Sequence, residues 1–404
     1  MNVLFLTLSN FDSPDKKGIY GELFHEFAKN GHRIYIVSPV ERRYNENTQV
    51  IQGGRIEVLR VSTGNIQKTN IIEKGFSMIF LEKQYKAAIR KHFPDIRFDL
   101  IMYSTPPITL GGLIRYLKRL YKAKAYLLLK DIFPQNAVDL RMFPKKSLIY
   151  LYYRHKEKKL YKASDYIGCM SRANVNYLTE HNPYIHRDII HVLPNSIEPN
   201  NMATANNESK SIRKQYGIPE SAMVFMYGGN LGKPQNIPFI IKCLNKNGNR
   251  NNRYFIICGN GTGYEEMKRY TDNCEQSNVM LISELPKEEY DTLLKACDIG
   301  LIFLDHRFTI PNFPSRLLSY MDNSMPVFAC TDTSTDIGQI ILENDFGWWC
   351  ESNDANRFTE IIDEICDMDI SEKRGNARKC LEEQFTVQKA YEKIMAELSS
   401  VENT

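Results

Sequence analysis

The sequence predicts an α/β protein built from two successive doubly wound, Rossmann-like domains. Three observations lead to this prediction. The chain has 404 residues, more than one hydrophobic core usually organises. Short apolar, strand-like runs alternate with helix-like segments in both halves. A stretch rich in Pro, Asn, Ser and Ala, from residue 198 to about 210, is typical of a linker between domains.

The first half contains seven predicted strands and four predicted helices. The strands are short apolar runs, and the helices are longer segments in which polar and apolar residues mix. Strands are expected over residues 2–9, 32–38, 55–61, 100–103, 125–129, 166–170 and 189–193. Helices are expected over residues 22–30, 77–92, 110–122 and 146–162.

The second half repeats the same alternation after the linker. Strands are predicted over residues 223–227, 253–258, 299–304 and 325–329. Helices are predicted over residues 238–245, 263–272, 287–296, 315–322, 354–368 and 388–398. In such sheets ligands bind outside the carboxyl ends of the strands, so the loops after the strands are the candidate functional sites.

Composition excludes several other classes of protein. No stretch approaches the ~20 apolar residues of a membrane-spanning helix, and the first residues lack a basic leader, so neither a span nor a signal peptide is predicted. The nine cysteines are scattered without a C-x-x-C pair, which favours buried free thiols in a reducing cytoplasm.

The two halves carry opposite charge. Residues 1–200 hold 31 Lys and Arg against 18 Asp and Glu, an excess of 13 positive charges, although the whole chain has a net charge of only +4. Basic stretches with interleaved Leu and Tyr occur over residues 115–122 and 145–162. These are typical of a surface that adsorbs to anionic lipid headgroups, and a merely solvated basic face is the alternative. No nucleic-acid-binding motif accompanies the charge, so no nucleic-acid partner is expected.

The run Tyr227-Gly228-Gly229-Asn230-Leu231-Gly232-Lys233 is the strongest chemical signal. Three glycines leave the end of a predicted strand, and one lysine follows before a helix. Exposed backbone with a single positive charge suits a diphosphate, so Gly229, Asn230 and Lys233 are predicted to bind one.

Two further loops of the second half complete the predicted site. Gly259 and Gly261 follow the next strand and open a helix, and we expect them to face the first loop with a nucleotide between. At Pro314-Ser315-Arg316 another helix begins, where a phosphate would meet free N–H groups and a cation. A helix with a capping serine and a solvated arginine is the alternative there.

Two polar loops of the first half are candidates for the reaction itself. Lys130 and Asp131 directly follow a predicted strand, where they would orient an acceptor hydroxyl or balance phosphate charge, or form a structural ion pair. Gly18 and Gly21 follow the first strand and would let the backbone approach a ligand closely. Their spacing is not that of a nicotinamide fingerprint, and the eight histidines form no metal cluster, so no cofactor or metal is expected.

Taken in order, these segments resemble glycosyltransferase family 4, retaining enzymes of the GT-B fold, and within it the O-antigen and capsule branch that includes UDP-L-FucNAc transferases. The similarity covers nearly the whole chain, and the ordered set is far more specific than any one member. The residues that carry it are Gly18, Gly21, Gly31-His32-Arg33-Ile34, Thr105-Pro106-Pro107, Lys130-Asp131-Ile132-Phe133-Pro134, Pro194-Asn195-Ser196-Ile197, the Tyr227–Gly232 run with Gln235-Asn236, Gly259-Asn260-Gly261, and residues 311–321 with Pro326-Val327.

The resemblance implies two Rossmann-like domains facing a central cleft. The first, residues 1–197, would bind the acceptor, and a final helix at about 386–404 would cross back to it. The second, residues 198–385, would bind the donor, with Gly261 beside the nucleotide, Lys233 at the diphosphate, and Pro314, Ser315, Arg316 and Ser319 around a phosphate. Such enzymes generally need no divalent metal, because helix dipoles and Lys or Arg neutralise the leaving diphosphate.

This sequence departs from the family at two places. Two glutamates that relatives often carry eight positions apart are replaced by Pro311 and Ser319. A histidine that many relatives carry after a first-domain strand is replaced by Lys130 or Asp131. The ribose and sugar contacts usually assigned to the glutamates therefore have no evident counterpart.

The expected activity is retaining transfer of an N-acetylated amino or 6-deoxyamino sugar from a UDP-sugar. The expected acceptor is a glycan, linked to a polyprenyl diphosphate, in capsule or O-antigen synthesis. The enzyme would lie in the cytoplasm at the inner face of the cell membrane. A non-hydrolysing UDP-sugar 2-epimerase and a non-catalytic sugar-nucleotide or lipid-binding subunit are the alternatives; the missing glutamates favour the second.

Overall fold

A computed structural model describes residues 1–66, 69, 71–200, 206–274 and 277–400, which form two compact units. Unit 1 comprises Met1–Glu198 and Val387–Thr404, and unit 2 comprises Pro199–Thr386. Of the predicted linker, residues 201–205 lie outside the described part, and residues from 206 onward already belong to a helix. The last four positions of the predicted final helix, 401–404, also lie outside it.

Unit 1 contains an eight-stranded sheet with helices packed on it. The strands are β1 (Asn2–Leu6), β2 (Arg33–Glu41), β3 (Gln49–Gly53), β4 (Ile56–Thr63), β5 (Leu100–Ser104), β6 (Lys124–Leu129), β7 (Tyr166–Cys169) and β8 (Ile190–Val192). The helices are α1 (Ile19–Lys29), α2 (Ile71–His92), α3 (Gly111–Tyr121), α4 (Gln135–Asp139), α5 (Leu148–Tyr161) and α6 (Arg172–His181). The strand order is β3-β4-β2-β1-β5-β6-β7-β8, with β3 antiparallel to β4 and the other pairs parallel.

Unit 2 contains a six-stranded parallel sheet. Its strands are β9 (Met223–Gly228), β10 (Arg253–Cys258), β11 (Val279–Ile282), β12 (Ile299–Phe303), β13 (Val327–Thr331) and β14 (Gly347–Glu351). Its helices are α7 (Asn206–Tyr216), α8 (Ile237–Lys246), α9 (Tyr264–Asn273), α10 (Lys287–Leu294), α11 (Arg316–Asp322), α12 (Ile337–Glu343), α13 (Ala355–Cys366) and α14 (Ser371–Gln384). The order β11-β10-β9-β12-β13-β14 reverses direction between β9 and β12, which is where a doubly wound sheet forms its ligand crevice.

The last helix, α15 (Val387–Ser400), packs on unit 1. The Val387 N–H donates to the Ile197 carbonyl at 3.1 Å, and Ile394 is fully buried in the cluster that contains Phe24 and Phe27. The Tyr391 ring meets Phe27 edge-on at 4.9 Å. The end of the chain therefore completes the core of the unit in which the chain begins.

The two Rossmann-like domains are confirmed, but several elements were not predicted. The missed strands β3, β11 and β14 lie at sheet edges. β3 keeps exposed and half-buried side chains and lacks the continuous apolar run that marks a central strand. β11 is apolar throughout, but it has only four residues. The helices α4, α6, α7, α12 and α14 were not predicted either.

Candidate functional site

The glycine loops after β9 and β10 lie against each other at the carboxyl edge of the unit 2 sheet. The Gly229 N–H donates to the Cys258 carbonyl (2.9 Å), and the Leu231 N–H donates to the Asn260 carbonyl (2.8 Å). A Cβ atom at Gly259 would lie 1.8 Å from the Gly229 carbonyl oxygen. The prediction that a nucleotide fits between these loops is therefore wrong, because their backbones occupy that space. A ligand can only lie on the surface that the two loops present together.

That shared surface exposes some predicted donor-binding residues and hides others. Asn230 and Lys233 are exposed and Gly261 is half-buried, whereas Gly259 is buried beneath the loop of β9. The Asn230 amide donates to the Gln235 side chain at 3.2 Å, which holds the turn before α8. Lys233 has no ion-pair partner among the described residues, so its charge is available to a ligand.

Arg316 brings a second positive charge to the same edge. Its guanidinium carbon lies 4.3 Å from the centre of the Tyr227 ring, and a Cβ atom at Gly229 would lie 3.0 Å from its Nη2. Its Nη1 is buried and has no hydrogen-bond acceptor within the described part of the chain. The alternative of a solvated surface arginine is therefore wrong. A buried guanidinium donor without an acceptor is costly unless a ligand supplies one.

The helix that carries Arg316 is short. α11 has seven residues, and Ser315 is its N-cap residue without a side-chain cap hydrogen bond. Ser315 is exposed, and Pro314 and Ser319 are half-buried. The contacts of these three residues with a phosphate stay predictions. A two-turn helix has a small dipole, so the Arg316 charge attracts an anion more strongly than the N-terminus of α11 does.

Two buried carboxylates, those of Asp305 and Asp332, lie at the carboxyl edge of the unit 2 sheet. Asp305, at the end of β12, is bonded by the Arg307 side chain, and its N–H donates to the Pro234 carbonyl at 2.8 Å. Asp332, after β13, accepts from the Thr335 and Ser334 N–H groups, and burial raises its pKa to about 6. Both carboxylates are held by internal hydrogen bonds, so they stabilise loops. Pro311 is buried and carries no charge to replace a glutamate.

In unit 1, Lys130 and Asp131 follow β6 and are fixed through their backbones. Both N–H groups donate to Oγ1 of Thr105, at 2.9 and 3.0 Å, and that hydroxyl donates to the Asp131 carbonyl at 3.1 Å. No ion pair joins the two side chains in the part of the chain that the structure describes, which removes the structural ion pair as an explanation. Cys169 lies within electrostatic range of Lys130, and Tyr20 lies within electrostatic range of Asp131.

Both of these side chains have shifted pKa values. Although part of each side chain reaches the surface, the protein around it displaces much of its water, which lowers the pKa of Lys130 to about 7 and raises the pKa of Asp131 to about 6. Asp131 keeps an exposed surface and Lys130 is half-buried, so both remain accessible to a reactant. Accessible titratable groups with pKa values near neutrality are candidates for proton transfer.

The glycines after β1 differ in their roles. A Cβ atom at Gly21 would lie 1.8 Å from the Lys16 carbonyl oxygen, so this glycine lets the preceding loop fold onto α1 and does not admit a ligand. That corrects the prediction for Gly21. Gly18 has φ +109° and open space around its Cα, but its N–H already donates to the Glu22 carboxylate at 3.1 Å.

Within the residues that the structure describes, no group of three or more His, Cys, Asp or Glu side chains is arranged to hold a metal ion. Over the same residues, no helix is long and apolar enough to cross a membrane. The nine cysteines are all free thiols, and seven of them are buried.

The two Rossmann-like units together have the GT-B fold of the solved glycosyltransferases to which the chain is similar. Residues 208–380, which lie within unit 2, match the family model described as "Glycosyl transferases group 1".

Individual relatives extend the similarity to the rest of the chain. The chain is 24% identical over 331 residues to "Probable glycosyltransferase WbjE" of Pseudomonas aeruginosa, covering 81% of each chain. Anabaena Alr3699/HepE in complex with UDP-glucose superposes with a TM-score of 0.71 at 15% identity, covering 99% of this chain and 100% of that one. WaaG, a glycosyltransferase involved in lipopolysaccharide biosynthesis, superposes with a TM-score of 0.67 at 14% identity, covering 97% and 98%.

Sequence reasoning missed the residues that hold the site in place. Thr105 is visible in the sequence only as part of a motif, and the sequence assigns no role to Tyr227 or Tyr320. Tyrosines and threonines are frequent throughout folded proteins, so their residue type alone does not mark them. Only the contacts with Lys130, Asp131, Gly228 and Arg316 distinguish them.

Proposed function

We propose that the protein transfers a sugar from a UDP-sugar held by unit 2 to an acceptor held by unit 1. One observation carries this proposal: among the described residues, the buried Nη1 of Arg316 has no acceptor, and it lies at the edge where Lys233 has no ion-pair partner. Two cations on a glycine-rich surface at the switch point of the sheet suit a nucleoside diphosphate.

The structural relatives support the choice of donor. HepE, which has the same fold, is described in complexes with UDP and with UDP-glucose. In a transfer reaction the departing UDP carries new negative charge, and Arg316 and Lys233 would stabilise it as the glycosidic bond to the donor breaks. We propose that these side chains do so without a divalent metal, and that the sugar keeps its anomeric configuration.

The proposed acceptor is a glycan that unit 1 binds. WaaG, which has the same fold and is involved in lipopolysaccharide biosynthesis, supports a role in bacterial surface polysaccharide synthesis, and we propose a glycan carried on a polyprenyl diphosphate. Unit 1 would bind it, with Asp131 orienting the acceptor hydroxyl and Lys130 offsetting phosphate charge. The donor sugar is proposed to be of the N-acetylated amino or 6-deoxyamino class.

Unit 1 also offers a surface for such a membrane-bound acceptor. Leu148 is 85% exposed, and Ile149, Leu151 and Tyr152 are exposed beside it in the first turns of α5. Residues 141–162 carry eight Lys and Arg against the single acidic residue Glu157, which is buried and paired with Arg154. Exposed aliphatic side chains among these Lys and Arg residues suit an anionic lipid surface, so we propose peripheral attachment at the inner face of the cell membrane.

Titration with UDP in the presence of EDTA tests the donor site. Arg316→Met keeps the aliphatic stem over Tyr227 but removes the charged donors. A lost charged hydrogen bond costs about 1.5–3 kcal/mol, so we expect Kd to rise roughly 10- to 150-fold, with a comparable or smaller rise for Lys233→Ala. Arg357→Gln removes an exposed arginine from α13 and should leave Kd unchanged. Equal affinity of wild type and both site variants would exclude these cations from the site.

An assay with a panel of UDP-sugars and a lipid-diphosphate-linked sugar separates the alternatives. Sugar transfer to the acceptor supports the proposed function. Isomerisation of the donor without acceptor would instead identify an epimerase. Binding of UDP-sugars without any turnover would identify a non-catalytic subunit, which the loss of charge at Pro311 and Ser319 favours among the alternatives.

A further inference from the structure

The central strands of unit 2 separate before they reach the carboxyl edge of the sheet. β9 pairs with β10 at six positions, from Arg253↔Met223 to Cys258↔Gly228. On its other side, β9 pairs with β12 at only two, Ile299↔Phe225 and Gly300↔Met226. Both strands continue beyond these pairs, so their facing backbone groups must find other hydrogen-bond partners.

The hydroxyl of Tyr320 supplies those partners. It accepts from the Gly228 N–H at 3.1 Å, and it lies 3.1 Å from the Met226 carbonyl of β9 and 3.2 Å from the Leu301 carbonyl of β12. Its single proton is shared between these two acceptors. Burial raises the pKa of Tyr320, so the hydroxyl keeps that proton.

The Tyr320 ring occupies the space next to Gly300, which has no side chain. The side chain is fully buried, and a Cβ atom at Gly300 would lie 2.3 Å from the ring. Any larger residue at position 300 would therefore displace Tyr320. The ring and hydroxyl together lie between the ends of β9 and β12 and keep them apart, at the point where the strand order reverses.

Tyr320 stands one helical turn after Arg316 in α11, so the two side chains share a face of that helix. The backbone that its hydroxyl holds, Met226 to Gly228, also carries the Tyr227 ring on which the Arg316 guanidinium lies. A single hydroxyl thus connects the glycine turn, the aromatic support and the helix that delivers the cation.

From these contacts we infer that Tyr320 is a positioning residue for nucleoside diphosphate binding, which acts by setting Arg316 against the Gly228–Gly229 turn. The inference rests on the proposed function, since it presumes that Arg316 meets the diphosphate. Preorganised cations bind a leaving diphosphate without reorganisation, so misplacing Arg316 lowers affinity even when its charge is kept.

Tyr320→Phe tests the inference because it deletes the hydroxyl and keeps the ring. We expect the Kd for UDP to rise about 5- to 20-fold. Tyr85→Phe is the matched control: Tyr85 is also fully buried, and its hydroxyl donates to the Thr7 carbonyl at 2.7 Å in unit 1. That control should lose a similar amount of stability and bind UDP as wild type does.

The double variant Tyr320→Phe, Arg316→Met shows whether Tyr320 acts through Arg316. If it does, removing the hydroxyl adds less than a twofold loss once the guanidinium is gone. Equal losses with and without Arg316, or unchanged UDP affinity in Tyr320→Phe, would overturn the inference. If wild-type protein fails to bind UDP at all, the proposed function fails first.

Discussion

Asp131 and Lys130 are adjacent in sequence but respond to pH in opposite ways. With pKa values near 6 and 7, Asp131 becomes charged as pH rises through 6, and Lys130 loses its charge as pH rises through 7. Both carry charge only in the interval between these values. If both act in catalysis, activity is greatest within that interval.

Asp131→Asn is expected to lower kcat about 10²-fold and to remove the acidic limb of the pH–rate profile, because Asn has no proton to lose. Lys130→Met should instead remove the alkaline limb. The measurement is kcat from pH 5 to 8.5 for all three proteins. Full activity in both variants would exclude this pair from catalysis and direct attention to the surface around Gly18.

Asp131→Asn is expected to stabilise the folded protein at high pH, although it lowers kcat. A carboxyl whose pKa is raised by folding destabilises the folded state above that pKa, and has no such effect below its unfolded value near 3.8. Asp131→Asn should therefore raise the melting temperature at pH 8 and leave it nearly unchanged at pH 3. A lower melting temperature at both pH values would indicate that Asp131 has a structural role.

At the level of elements, α5 combines two kinds of surface. Its last turn is buried against the sheet through Leu160 and Tyr161, while its first turns are exposed and apolar. A helix between parallel strands runs antiparallel to them, so the start of α5 lies toward the same edge of the unit 1 sheet as Lys130 and Asp131. Attachment through this end would bring that edge close to the lipid headgroups.

Vesicle sedimentation tests the attachment. Wild type is expected to bind vesicles with anionic lipid and not neutral vesicles, and to dissociate partly as salt rises, since exposed charges are screened beyond about 10 Å at 0.1 M. Leu148→Glu should weaken binding at least fivefold by removing apolar area and adding repulsion. Leu342→Glu, at another exposed leucine, in α12 of unit 2, is the control that should bind normally. Equal binding of wild type to neutral and anionic vesicles would contradict a role for the Lys and Arg side chains of residues 141–162.

For the whole molecule, the chain leaves unit 1, builds unit 2 and then returns as α15. Ala390 and Ile394 of this helix are buried with residues of α1 and β1, and His32 bonds the Tyr391 hydroxyl at 3.0 Å. Unit 1 therefore completes its core only after unit 2 has been synthesised. Its stability depends on residues almost 200 positions beyond its other boundary.

Ile394→Ala should destabilise unit 1 by about 2–5 kcal/mol, the usual cost of truncating a fully buried isoleucine. Denaturant unfolding followed by hydrogen exchange would locate the loss in α1, β1 and β2. Protection of unit 2 strands such as β10 should remain unchanged. An equal loss of protection in both units would contradict the assignment of α15 to the core of unit 1.

The sequence by itself determined the order of strands and helices in the central parts of both sheets. Buried parallel strands need continuous apolar runs, such as Leu100–Ser104 and Arg253–Cys258, and these are visible without a structure. It also identified Lys233 and Arg316 as candidate cations, because glycine-rich turns and positive charges after strands are local features. Edge strands such as Gln49–Gly53 escaped, since their half-exposed side chains carry no such pattern.

Only the tertiary structure decided which of those residues can meet a ligand. The glycines at 229 and 259 are 30 positions apart, and nothing local indicates that their backbones touch and leave no room for a nucleotide between them. Other features likewise depend on contacts between residues that are distant in sequence. Among the described residues, Nη1 of Arg316 is buried without an acceptor, and the Tyr320 side chain lies between β9 and β12. Lys130 and Asp131 are adjacent but lie in different surroundings. Burial and hydrogen-bond satisfaction are properties of the packed chain, so residue type and spacing alone do not determine them.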